Sequence, residues 1–129
     1  MILVDSSVWI DFFSPSPGRA GAELHRSINE GDPLALTGVV VAEVLQGLTK
    51  DSRYIERFLA DFDLIEPSGF ETYKEAASIF RKGRSKGYSL TTIDTLIAAV
   101  AIEHNTTVFT RDQDFSRIAL IAPLQLHAY

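Results

Sequence analysis

The chain has 129 residues and a formal charge of −5, from 17 acidic against 12 basic side chains. That length suits one domain, and a hydrophobic fraction of 46% can build a core without covalent staples. The absence of cysteine excludes a disulfide framework, thiolate metal sites and cysteine nucleophiles, and the acidic balance argues against a general nucleic-acid coat protein.

Ile2-Leu3-Val4 is a short aliphatic run without polar alternation, which is how a central parallel strand buried on both faces reads. It follows Met1 at once, where a signal peptide would carry a longer apolar region. Asp5 ends the run. Ser6 to Phe13 is predicted as a short helix, with Val8, Trp9, Phe12 and Phe13 on one apolar face, placed in the core or at a subunit interface. Ser14-Pro15-Ser16-Pro17-Gly18 breaks the chain, and Arg19 to Glu30 is an amphipathic helix closed by Gly31. Leu34 to Leu36 reads as a second strand. Val39 to Leu48 reads as a helix despite its valines, since Val40, Val44, Leu45 and Leu48 share a face.

Asp51 or Ser52 is expected to cap a helix reaching about Phe62, followed by a weak strand at Leu64-Ile65. Phe70 to about Lys86 is a longer helix with a basic end. Thr91 opens another through about Glu103, with Leu96, Ile97 and Val100 facing the core. Thr107 to Thr110 is a strand, Asp112 to Ile118 a short helix, and Leu120 to Leu126, interrupted by Pro123, an expected edge strand. The longest uncharged apolar run, Leu96 to Ile102, is far too short to span a bilayer, so a cytoplasmic protein free of membranes is expected.

Alternating strands and helices imply a mostly parallel sheet with helices on both faces and right-handed crossovers. The functional crevice of such folds lies beyond the carboxyl ends of the strands. Several acids fall at that edge, and each has a second reading. Asp5 follows the first strand and could equally cap the next helix. Glu43 interrupts an apolar helix, where burial without a partner is costly, or it faces solvent beside Gln46 and Lys50. Asp94 lies in a first helical turn three residues after Thr91, a place that capping and the helix dipole also favour. Asp112 and Asp114 follow the Thr107 to Thr110 strand, and only one of them can cap the final helix.

If these acids converge, their repulsion requires relief, and hard divalent cations with oxygen preference supply it. Magnesium or manganese suits such a set. Zinc does not, since cysteine is absent and His25, His104 and His127 have no ligand-like spacing. Carboxylate-bound metal serves hydrolysis at phosphorus by activating water, which leads to phosphate esters but not by itself to RNA.

Four segments carry a resemblance. Val4-Asp5-Ser6-Ser7-Val8-Trp9-Ile10, Ala42-Glu43-Val44-Leu45-Gln46-Gly47, Asp94-Thr95-Leu96-Ile97-Ala98-Ala99-Val100-Ala101 and Thr110-Arg111-Asp112-Gln113-Asp114-Phe115 resemble, in order, the motifs of PIN-domain ribonucleases of the VapC type. The resemblance spans Ile2 to about Phe115. It implies that residues 1–129 form a single PIN-like domain, a three-layer α/β/α sandwich around a mostly parallel five-stranded sheet. It implies a metal site from Asp5, Glu43, Asp94 and Asp112, with Asp114 a lesser member that contacts metal through water or anchors the last turn. Ser6 and Thr110 match polar positions supporting the acids. The short form is similar to the toxin of a bacterial toxin–antitoxin pair. That implies a Mg- or Mn-dependent endoribonuclease, inhibited by a cognate VapB-like antitoxin and assembled as a homodimer.

Arg81, Lys82, Arg84 and Lys86 cluster at the end of the long helix. They are expected either to contact RNA phosphates or to form a solvated helix end. Two rivals remain open. A receiver- or flavodoxin-like regulatory domain shares the layers, but no lysine follows Lys86. A small-molecule phosphatase would want two aspartates flanking one residue after the first strand, and here Ser6 and Ser7 follow Asp5.

Overall fold

The computed structural model describes residues 1–129 throughout. Its first strand, β1 (Ile2–Val4), pairs in parallel with β2 (Leu34–Leu36) on one side and β4 (Thr107–Phe109) on the other. β3 (Asp63–Leu64) adds to the far side of β2, giving the order β3-β2-β1-β4, all parallel. Leu3 and Val4 are fully buried, as an interior strand with two covered faces requires. β3 is exposed and short, which blunts the edge it forms.

Helices α1 (Ser6–Phe12) and α2 (Arg19–Asn29) connect β1 to β2, and α3 (Gly38–Gln46) and α4 (Ser52–Ala60) connect β2 to β3. The long α5 (Phe70–Ser85) and α6 (Thr92–Glu103) carry the chain back across the sheet to β4, and α7 (Gln113–Ala119) follows. The first two connections step one way along the sheet and the third steps back. Right-handed crossovers therefore place α1 to α4 on one face and α5 and α6 on the other. The helix contacts agree: α1 packs on α2 and α3, α3 on α4, and α5 on α6 and α7.

The expected fifth strand does not form, and the sheet has four strands. Leu126 makes one isolated parallel bridge to Val108. The N–H groups of Ile121 and Ala122 turn back to the Ile118 carbonyl, and Pro123 has no N–H, so little of the segment is left to pair. Asp51 also departs from expectation. It precedes α4 in the left-handed region, at φ 60°, and its side chain makes no capping bond.

Trp9 is fully buried and packs against Phe12, Phe13, Phe58 and Phe62, so the aromatic face of α1 ties that helix to α4. No helix is long and apolar enough to cross a membrane.

Candidate metal centre

The strand order reverses between β1 and β4, and in parallel sheets such a switch point opens a crevice at the carboxyl ends. Val4 and Phe109 are register partners, and the Asp5 N–H donates to the Phe109 carbonyl at 2.9 Å. Asp5 and Thr110 thus leave the sheet side by side. Asp5 holds the N-cap position of α1, yet its side chain makes no capping hydrogen bond. Its Oδ2 accepts instead from Ser7 Oγ at 2.8 Å and Thr110 Oγ1 at 2.9 Å. The same hydroxyls accept the N–H groups of Arg111 and Asp112, both at 3.0 Å. Oδ1 has no hydrogen-bond partner in the protein and is not sealed from solvent. One carboxylate oxygen of the buried Asp5 is therefore fixed while the other stays available.

Glu43 projects from α3, where Thr37 caps the helix by accepting the Val40 N–H. Glu66 accepts the Gly38 N–H at 2.6 Å and further secures that end. Ser6 Oγ donates to Glu43 Oε1 at 3.1 Å, linking α1 to α3 beside Asp5. Burial pushes the Glu43 carboxyl above its ordinary range; the Ser6 hydroxyl opposes this and the charge of Asp5 adds to it.

Asp94 lies in the first turn of α6, where Thr91 accepts its N–H at 3.1 Å. Its carboxyl is pushed up to about 6, first by burial, then by the charge of Asp112, with Asp5 and Asp114 adding and Thr91 opposing. Carboxylate oxygens of Asp94, Asp112 and Asp114 all lie within 4.8 Å of one another. Asp112 is the cap of α7, its Oδ1 accepting the Asp114 N–H at 2.9 Å. Asp114 Oδ1 pairs with Arg117 at 2.7 Å.

Two acidic groups result, Asp94-Asp112-Asp114 and Asp5-Glu43, and the influence of Asp5 on both Asp94 and Glu43 joins them. Capping and clustering coexist: Asp112 commits one oxygen to α7 and still faces Asp94. These are crowded, partly desolvated oxygen donors, the Asp94 and Glu43 carboxyls are held above their ordinary range, and Arg117 on Asp114 is the only cation paired within the Asp94-Asp112-Asp114 group. That donor set fits a hard divalent cation such as magnesium or manganese.

The basic residues are not brought into this centre. Arg81, Lys82, Arg84 and Lys86 are exposed, and none forms an ion pair with the five acids. Arg81 lines a groove between α5 and α6 together with Thr92, two residues before Asp94. Arg84 lies over the Phe80 ring. Ser7, which shares Asp5 with Thr110, is absent from the residues expected to support the acids. Its only sequence signal is a hydroxyl two positions beyond an acid at a strand end.

The family profile described as "PIN domain" matches residues 2–121. VapC ribonuclease Mb1587 of Mycobacterium bovis is 32% identical over 133 aligned positions, covering 100% of this chain and 99% of that protein. Ribonuclease VapC11 of Mycobacterium tuberculosis gives the same identity and coverage. Among solved structures, VapBC2 of Rickettsia felis bound to a promoter DNA fragment matches with a TM-score of 0.77 at 21% identity, covering 100% of this chain and 99% of that one. FitAcB of Neisseria gonorrhoeae matches with a TM-score of 0.73 at 23% identity, covering 99% and 97%.

Proposed function

Since the chain belongs to the PIN domain family, we propose that it is a divalent-metal-dependent endoribonuclease, the toxin of a VapBC-type toxin–antitoxin pair. The observation that carries this reading is the meeting of Asp94, Asp112 and Asp114 within 4.8 Å, under the electrostatic reach of Asp5. Asp5, Glu43 and Asp94 hold the principal cation, Mg2+ or Mn2+. Asp112 completes the site or holds a second ion, and Asp114 has the lesser part because Arg117 already occupies one of its oxygens. Such a cation supplies Lewis acidity at the scissile phosphate and lowers the pKa of water for attack on phosphorus.

The chain's own residues prepare that site. Ser7 and Thr110 hold Asp5 Oδ2, which leaves Oδ1 as the oxygen that would be free to bind a cation. Ser6 orients Glu43 from the neighbouring helix. Asp94, whose carboxyl is raised to about 6 by burial and by the charge of Asp112, would be held in its ionised form by a bound cation. No side chain is needed as a covalent nucleophile.

A VapB-like antitoxin is the restraining partner, as the similar solved complexes support, and the working form is a cytoplasmic homodimer. RNA ends mapped after brief expression, against the Asp94→Asn form, test the function. Discrete new ends are expected with the wild type and none with the variant. The same ends from both proteins would remove Asp94 from the chemistry.

A further inference from the structure

Beyond the sheet, Leu126 to Tyr129 lie as a strap along β4, and a cleft of about 310 Å³ with a mixed polar and apolar lining separates that strap from the start of α7. Asp112 lines this cleft and also belongs to the acidic cluster, so the two share a wall. Thr110, Arg111, Gln113, Ser116 and Tyr129 line it as well.

The strap is fixed from several sides. Arg19 Nη2 donates to the Tyr129 carbonyl at 2.6 Å, and the Tyr129 hydroxyl donates to the Thr110 carbonyl at 3.3 Å. The Tyr129 ring packs on Phe109 at 4.9 Å with the Arg19 guanidinium over it at 5.6 Å, and His127 Nε2 lies 2.9 Å from Glu23 Oε2. Tyr129 still keeps 42% of its surface exposed, so a held aromatic surface borders the cleft. On the other wall Gln113 and Ser116 are exposed, offering an amide and a hydroxyl that both donate and accept. The Arg111 side chain is 54% exposed, and its guanidinium reaches Asp11 only at 3.7 Å.

An aromatic surface, an amide, a hydroxyl and an arginine beside a carboxylate cluster match the base and the phosphate of a nucleotide. The exposed part of the ring offers a surface for the base, the amide and hydroxyl read its edge, and the guanidinium meets a phosphate. The volume is enough for one such unit. We infer that this cleft receives one unpaired nucleotide of the RNA substrate next to the scissile phosphate and selects its base. The inference rests on the ribonuclease reading for its substrate.

Binding and cleavage test it separately. Single-stranded RNA oligonucleotides carrying 2-aminopurine at successive positions are titrated into the Asp94→Asn protein with magnesium. Quenching is expected at one position beside the mapped cleavage site. Adding Tyr129→Leu should abolish that quenching and weaken binding roughly tenfold. Ser116→Leu should do the same by filling the cleft from α7 while leaving the strap intact, with folding checked by thermal unfolding. In the cleavage-competent protein, either substitution should erase base preference at that position. Folded variants that keep both the quenching and the preference overturn the cleft while the ribonuclease stands. A wild type that cuts no RNA, alongside Tyr129-dependent quenching, removes the ribonuclease and leaves the nucleotide cleft.

Discussion

Asp5 illustrates what a single carboxylate can be asked to do. An acid directly after a strand, before a helix, is most simply a cap. Its side chain caps nothing, because Ser7 and Thr110 take Oδ2 from two different elements. Removing one of those hydroxyls should loosen the rotamer rather than remove a ligand, and such outer partners are worth roughly 10–100-fold in metal affinity or activity. Ser7→Ala is therefore expected to weaken apparent Mn2+ affinity within that range, measured by calorimetry, with Ser7→Thr restoring most of it. Equal affinity in the Ala form would reduce Ser7 to a turn residue. Asp5, Asp94 and Asp112 stood out in the sequence as carboxylates at strand ends or in a first helical turn, and Glu43 as an acid interrupting an apolar helix. Their partners did not, because which hydroxyl meets which oxygen depends on β4 lying beside β1.

At the scale of elements, the periodicity of apolar residues located most helices and strands to within a residue or two. What it could not show was a carboxylate that ties two helices together. Asp11, on the buried side of α1, accepts the Gly18 N–H with both oxygens and the Gly21 N–H at 2.7 Å. Those backbone bonds hold its carboxyl below the ordinary range. This joint fixes the angle between α1, which carries Ser6 and Ser7, and α2. Asp11→Ala leaves two N–H groups without their acceptor and should cost about 2–4 kcal/mol in chemical denaturation. Gly21→Ala should cost about 1–3 kcal/mol, since its Cβ would lie 2.9 Å from Pro17 Cβ and 3.1 Å from Phe12 Cα. A neutral result for both would mean the helix pair is held by its apolar contacts alone. The missing fifth strand has the opposite lesson: Leu120 to Leu126 has a strand's composition, and one proline with a tight turn before it was enough to reduce it to a single bridge.

The whole molecule balances carboxylates of two kinds. Glu23, hydrogen-bonded by Arg26 and His127, is lowered to about 2, so its contribution to stability is present above its ordinary 4.5 and is lost as pH falls toward 2. Asp94 runs the other way. Its native carboxyl takes up a proton near pH 6 while the unfolded chain waits until about 3.8, so its favourable contribution is full below 3.8 and is lost as pH rises through 6. With a chelator present, Asp94→Asn should be the more thermostable protein at pH 8, and the difference should close by pH 4. Magnesium should stabilise the wild type and not the variant, because a ligand that binds only the native state adds to its stability. A difference independent of pH would show that the Asp94 carboxyl is not raised by burial and its acidic neighbours. Neither effect can be read from composition, since a net charge of −5 is silent about where the charges meet.

That meeting is tested most directly by titrating Mn2+ into the wild type and the Asp94→Asn protein at pH 7.5, following free ion by electron paramagnetic resonance. Saturable binding is expected in the wild type, with loss of at least tenfold in affinity in the variant. Identical isotherms from the two proteins would contradict a cation held by these carboxylates.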